Sequence, residues 1–152
     1  MVETVVCYLE KDNCFLMLHR NKREKDINKG KWIGVGGHIE KGETPEQAIK
    51  REVKEETSLD ILECEKRGVV VFKSENSNEK MHIFTSKKFI GQVGDCDEGD
   101  LRWISKEDVT DLPLWEGDRI FLPNILNGGT FFSYQFNYVK DHLISYEVKN
   151  DL

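Results

Sequence analysis

The chain has 152 residues, of which 38% are hydrophobic and 33% charged, and its formal net charge is -6. This length predicts one domain, residues 1–152, with a sizeable buried core. The negative charge argues against duplex nucleic acid or an anionic membrane as a partner, because both need a basic surface. A small anionic ligand stays compatible with this charge if a metal ion supplies positive charge.

The cysteines and the first residues both indicate a cytoplasmic protein. The four cysteines form no CxxC pair, so they predict reduced thiols and neither a zinc site nor a redox motif. Glu3 lies where a signal peptide would carry basic charge, and the apolar run at residues 5–9 is too short to span a bilayer.

The first half of the chain begins with a predicted hairpin, at residues 2–9 and 14–18, because apolar runs flank turn-forming residues. Residues 20–31 are basic, and they fit either a solvated loop or a rim that faces phosphate groups. A glycine-rich loop follows. Its three glycines, Gly34, Gly36 and Gly37, allow close approach of the backbone to a ligand or a positive φ.

A capping box predicts a helix that starts at residue 45. Thr44 occupies the N-cap position, Gln47 the N3 position, and Pro45 the first helical position, where a missing N–H costs nothing. At about 100° per residue, Glu52, Glu55 and Glu56 share one stripe beside the buried face. Arg51 supplies an i,i+4 partner to Glu55.

The second half of the chain contains five predicted strands, at residues 66–73, 81–89, 101–104, 131–139 and 143–148. Residues 120–126 have nearly helical spacing, although Pro123 would kink a helix or lie at its start. Strands on both sides of one strong helix, without regular βαβ alternation, predict a mixed sheet flanked by helices. The fold class is therefore α/β or α+β.

The glutamate stripe fits two interpretations. Like charges at i,i+3 and i,i+4 cost about 0.2–0.5 kcal/mol per pair, so a stripe without lysine is unfavourable in a plain solvated helix. A site for Mg²⁺ explains the stripe, since this ion prefers carboxylate and carbonyl oxygens. The solvated face remains the alternative. The glycines fit neither a dinucleotide fingerprint nor a P-loop, because the residues that complete those motifs are missing.

The segment at residues 37–59 resembles the signature of the Nudix hydrolases, G-x5-E-x7-R-E-U-x-E-E-x-G-U, in which U is a bulky aliphatic residue. The matching residues are Gly37, Glu43, Arg51, Glu52, Val53, Glu55, Glu56 and Leu59. The last glycine of the signature is replaced by Ser58. Glycine normally supplies a left-handed helix end there, and another residue costs about 1 kcal/mol.

The resemblance implies a Nudix-type α/β/α sandwich with a mixed sheet and an enzyme that uses Mg²⁺ or Mn²⁺. The implied reaction is cleavage of a nucleoside diphosphate linked to another moiety, through attack of water on phosphorus. Glu52, Glu55 and Glu56 match metal-ligand positions, and the Gly36 carbonyl matches a backbone ligand. Arg51 belongs to the catalytic group as an orienting salt-bridge residue, and Glu43 holds the loop.

The resemblance offers two glutamates as candidates for the general base. Family members take it either from the signature, here Glu52, or from a later loop. Glu98 lies five residues before Trp103 and matches the loop glutamate of some MutT-like members, where it also joins the metal ligands. An acidic solvated turn at residues 95–100 is the alternative.

The substrate is predicted from a likeness of residues 32–72 to MutT-like oxidised-purine triphosphatases. The expected substrate-binding residues are Arg20, Trp32, Gly37, Phe72, Trp115 and Asp118. Trp115 would stack on a purine and Asp118 would accept from its N–H edge; alternatively, Trp115 is core and Asp118 caps a helix. Ile33 replaces a base-reading asparagine of some purine-sanitising relatives.

The functional hypothesis is hydrolysis of a small-molecule nucleotide, a purine nucleoside triphosphate such as 8-oxo-dGTP, to monophosphate and pyrophosphate. The alternatives are a Nudix hydrolase for a nucleotide sugar or a dinucleoside polyphosphate, and a non-catalytic nucleotide sensor. The sequence leaves the oligomeric state open.

Overall fold

A computed structural model describes residues 1–152 and contains nine strands, two α-helices and one 3₁₀ turn. The strands are β1 (Val2–Lys11), β2 (Cys14–His19), β3 (Trp32–Ile33), β4 (Val35–His38), β5 (Asp60–Lys73), β6 (Asn78–Ile90), β7 (Asp100–Ser105), β8 (Phe132–Val139) and β9 (His142–Val148). The helices are α1 (Pro45–Thr57) and α2 (Asp118–Leu126), with the 3₁₀ turn at Val109–Asp111. Neither helix is long and apolar enough to cross a membrane.

The sheet is mixed and is built around β1. Along one edge, β1 runs parallel to β6, with residues 2–9 paired to residues 79–86. Its other edge pairs antiparallel with β4 in its first half and with β2 at its end. Beyond β6 follow β5, β8 and β9, and β2 also carries β3 and β7. The predicted mixed sheet is confirmed.

Two hydrophobic cores lie on opposite faces of the sheet, because successive side chains of a strand point to opposite sides. On β1, Val6 and Tyr8 belong to the core that includes Phe121 and Leu122 of α2. Val5 and Cys7 belong to the second core, which includes residues of α1. The helices therefore cover both faces, and the expected α/β/α sandwich is confirmed.

Helix α1 begins as its sequence predicts. The Thr44 hydroxyl accepts from the Gln47 backbone N–H at 3.1 Å, and the Gln47 side chain accepts from the Thr44 N–H at 2.9 Å. The helix ends at Thr57, and its C-cap residue, Ser58, has a left-handed φ of 71°. The missing signature glycine thus leaves a serine in the conformation that glycine favours.

Strands β4 and β5 differ from the sequence prediction. The expected glycine loop contains strand β4, in which Gly36 pairs with Val6. A Cβ atom at Gly36 would lie 1.8 Å from the Val5 carbonyl oxygen, so close strand approach, and not a positive φ, requires this glycine. Strand β5 begins at Asp60, earlier than predicted. Register shifts between Ile61 and Gly68 interrupt the alternation of its side chains, so the sequence pattern does not indicate this first part of the strand.

The second helix also differs. It begins at Asp118, and Pro123 lies in its interior instead of at its start. Proline lacks the N–H that would bond one turn back, so it weakens this part of the helix. Helix α2 ends only three residues later, at Leu126.

Candidate metal and nucleotide site

The glutamate stripe of α1 lies against the glycines of β4. A Cβ atom at Gly37 would approach the Glu52 carboxylate to 2.5 Å, so a larger residue there would displace this carboxylate from its present position. The Glu52 side chain is 12% exposed. Burial raises the pKa of Glu52, while the neighbouring Arg51 opposes that rise. Gly36 is adjacent in the same strand, so its backbone belongs to the same region.

Arg51 is enclosed by acceptors. Its guanidinium binds Glu43 through two contacts, of 2.7 and 2.9 Å, and donates to Glu52 at 2.9 Å and to the His38 carbonyl at 3.0 Å. The bond to Arg51, and a second one from the Glu40 N–H, lower the pKa of Glu43 to about 2. Paired bonds of this kind fix orientation. The geometry therefore favours an orienting role for Arg51 and a loop-holding role for Glu43.

A second carboxylate group forms where α1 meets the loop before β7. One ligand atom each from Glu56, Cys96 and Glu98 lies within 4.8 Å of the others. Glu98 forms ion pairs with Arg20 at 3.2 Å and with Arg23 at 3.8 Å, and its side chain is only 20% exposed. The structure thus brings Glu98, which lies in a turn, beside the Glu56 carboxylate of the helix.

Glu55 occupies a different position from its neighbours on the stripe. Its side chain is 59% exposed and accepts from Arg51 at 3.3 Å. It lies outside the compact group formed by Glu56, Cys96 and Glu98. Of the three glutamates on the stripe, Glu52 and Glu56 are therefore the partly buried ones.

The electrostatics of this region fit a divalent cation. Burial raises the pKa of Glu56, and the charges of Glu98 and Glu52 raise it further. Crowding carboxylates in a partly dry place is unfavourable unless a positive charge balances them. Oxygen donors of this type suit Mg²⁺ or Mn²⁺. The residues present therefore fit the metal that the signature implies.

The aromatic residue expected at the base site is half-buried. Trp115 donates through Nε1 to the Asn28 side chain at 2.7 Å, and the Lys31 ammonium lies 5.2 Å from the centre of its ring. Its ring meets Tyr138 edge-on at 5.9 Å. Trp115 therefore lies at the margin of the core, where the basic loop at residues 20–31 contacts it.

Asp118 is buried, with 5% exposure, although it is an acid. The N-cap of α2 is Gly117, so the alternative that Asp118 caps this helix is wrong. Burial, with a smaller effect of the Glu79 charge, raises the pKa of Asp118 to about 7. A protonated carboxyl group can donate one hydrogen bond as well as accept others.

The remaining expected substrate residues fall into two groups. Phe72 lies 6.0 Å from the ring of Tyr138 and packs on the same core as Trp115. Trp32 packs there too and stacks on His19 with 4.4 Å between ring centres. Arg20 instead forms ion pairs with Asp26 and Glu98. It is therefore not a free phosphate-binding cation, and it links the basic loop to the Glu98 carboxylate.

Comparison with known proteins decides the family. The model of the NUDIX domain matches residues 2–125. The chain belongs to the Nudix family. Among its relatives, the uncharacterized Nudix hydrolase YvcI of Bacillus subtilis is 29% identical over 149 residues, which are 93% of this chain and 90% of that protein.

One further sequence relative and one solved structure resemble this Nudix protein. The oxidized purine nucleoside triphosphate hydrolase of Danio rerio is 31% identical over 114 residues, covering 74% of this chain and 73% of its own. The crystal structure of a MutT protein from Bacillus halodurans superposes with a TM-score of 0.89, at 26% identity and 98% coverage of both chains. The Nudix protein therefore has a MutT-like fold over nearly its whole length.

Sequence reasoning missed Cys96 and Tyr138 as members of this region. The sequence pattern predicts Cys96 only as a reduced thiol. Its place two residues before Glu98, in the same turn, is the signal that links it to this region. The Tyr138 hydroxyl accepts from the Gly117 N–H at 2.7 Å, a contact between distant parts of the chain for which the sequence carries no signal.

Proposed function

We propose that this Nudix protein hydrolyses a purine nucleoside triphosphate, such as 8-oxo-dGTP, to the monophosphate and pyrophosphate with Mg²⁺ or Mn²⁺. The observation that carries the proposal is the convergence of Glu56 and Glu98 beside α1, on a fold that also holds a half-buried Trp115 and a buried Asp118. The relative from Danio rerio, named for oxidised purine nucleoside triphosphates, supports the same substrate class. One domain, residues 1–152, would supply the whole site in the cytoplasm.

The metal would supply electrostatic stabilisation of the phosphate oxygens and a lower pKa for water. Glu52, Glu56, Glu98 and the Gly36 carbonyl are the groups we assign to hold it, with Glu55 at the exposed end of the stripe. Arg51 keeps Glu52 in place through its bond of 2.9 Å. Either Glu52 or Glu98 takes the proton from the attacking water.

Base recognition is assigned to the aromatic residues and Asp118. An indole face or a phenyl ring stacks on a purine, and base stacking contributes about 1–3 kcal/mol per base. Phe72 and Trp115 both contact Tyr138, so they border one region of the structure. The Asp118 carboxyl group would accept from a base N–H and, when protonated, donate to an acceptor on the base edge. Ile33 offers no polar group to the base, whereas Asp118 offers a carboxyl group.

A substrate panel tests this proposal. Nucleoside triphosphates, oxidised purine triphosphates, nucleotide sugars and dinucleoside polyphosphates are incubated with the protein and Mg²⁺, and products are separated by ion exchange. We expect the highest kcat/KM for a purine triphosphate, with pyrophosphate released. At least tenfold better turnover of a nucleotide sugar or a dinucleoside polyphosphate would refute the base-site assignment and leave the metal site intact.

A further inference from the structure

Cys96 contacts Glu56, and the proposed hydrolysis assigns no role to this contact. Its sulfur lies 3.0 Å from Oε2 of Glu56, in the orientation of a thiol that donates to a carboxylate. Cys96 is 4% exposed, so water does not compete for this bond. The other buried cysteine, Cys7, has no such contact and belongs to the core beside α1.

The loop that carries Cys96 is fixed on several sides. Lys22 donates through Nζ to the Cys96 carbonyl at 2.8 Å, and Cys96 forms a β-bridge with Gly99. Gly94 donates its N–H to the Thr57 carbonyl at the end of α1, at 2.9 Å. A Cβ atom at Gly99 would lie 1.8 Å from the His19 carbonyl oxygen, so the loop also packs closely on β2. The thiol is therefore presented to Glu56 from a rigid support.

We propose that Cys96 is a positioning residue, whose thiol donates to one oxygen of Glu56 and so orients the other oxygen for the metal ion. The inference rests on the metal site proposed above. Groups that bond to a metal ligand restrict its rotamers, and their loss typically lowers metal affinity by about 10–100-fold. Because the same turn carries Glu98, the thiol also fixes the spacing between the two carboxylates.

The test measures metal binding without nucleotide, by titrating the protein with Mn²⁺ and following free Mn²⁺ by electron paramagnetic resonance. Cys96→Ala and Cys96→Val both remove the donor, and valine keeps the volume filled. Cys96→Ser keeps a donor. Cys7→Ala is the matched control, because it removes a buried thiol from the core without touching Glu56.

We expect Mn²⁺ affinity to fall by about 10-fold in Cys96→Ala and Cys96→Val. It should stay within about threefold of wild type in Cys96→Ser and within about twofold in Cys7→Ala. Equal affinity in wild type and both donor-free variants overturns the inference, as does a loss in Cys96→Ser as large as in Cys96→Val. No Mn²⁺ binding by wild type would instead overturn the metal site itself, and the inference with it.

Discussion

Replacing Asp118 with asparagine should change how stability depends on pH. The pKa of this acid is raised from 3.8 to about 7 in the folded protein, because burial disfavours its charged form. An acid with a raised folded pKa contributes full stability below its unfolded pKa, and that contribution is lost as pH rises toward the folded pKa. The window for Asp118 is therefore from about pH 4 to about pH 7.

The magnitude follows from the size of the shift. A pKa difference of one corresponds to about 1.4 kcal/mol, so the rise from 3.8 to about 7 amounts to at most about 4 kcal/mol between the two ends of the window. Asparagine has nearly the same shape and does not ionise. The free energy of unfolding of Asp118→Asn, relative to wild type, should therefore rise by up to about 4 kcal/mol from pH 4 to pH 8 and then stay level.

Urea unfolding of both proteins at pH 4, 5, 6, 7 and 8 measures this difference. All other titrating groups are shared by the two proteins, so their contributions cancel when the curves are subtracted. Glu79→Gln serves as a control, because the charge of Glu79 is a smaller cause of the same pKa shift. A difference between wild type and Asp118→Asn that stays constant across this pH range would show that Asp118 is ionised in the folded protein and that its pKa is not raised.

Three further predictions concern the catalytic helix and the base site. Glu56→Gln should lower kcat by at least ~100-fold with little change in melting temperature, because metal-organised charge dominates such reactions; near-wild-type turnover at saturating Mg²⁺ would contradict the assignment. Ser58→Gly should raise the free energy of unfolding by up to ~1 kcal/mol, since residue 58 has a φ of 71°; a lower melting temperature would speak against this. Trp115→Ala should raise KM for the preferred purine triphosphate at least ~5-fold, from the loss of about 1–3 kcal/mol of stacking, whereas an unchanged KM in steady-state kinetics would exclude stacking on this residue.

The sequence predicted those parts of the fold that local chemistry determines. The capping box placed the start of α1 at residue 45, and the spacing of Ala48, Ile49 and Val53 placed its buried face. The glutamate stripe then followed from helical periodicity alone. These features depend on residues a few positions apart, so no knowledge of distant contacts was needed.

The parts that sequence reasoning missed depend on distant contacts. Strand β4 exists because Gly36 fits against β1, about thirty residues earlier in the chain. The raised pKa of Asp118 results from burial among residues of other elements, which no local pattern reports. The bond between Cys96 and Glu56 joins residues forty positions apart. The Arg20 ion pairs with Asp26 and Glu98 likewise emerge only in three dimensions.

In the proposed function, the carboxylates around α1 bind a metal ion and direct water to the triphosphate of a purine nucleotide. The most direct measurement incubates 8-oxo-dGTP and dGTP with the protein in ¹⁸O-labelled water, with Mg²⁺ or with EDTA, and analyses the products by mass spectrometry. We expect monophosphate and pyrophosphate in equal amounts, one ¹⁸O atom per turnover, and no products with EDTA. Stepwise release of single phosphates, or equal turnover in EDTA, would contradict metal-dependent hydrolysis to monophosphate and pyrophosphate.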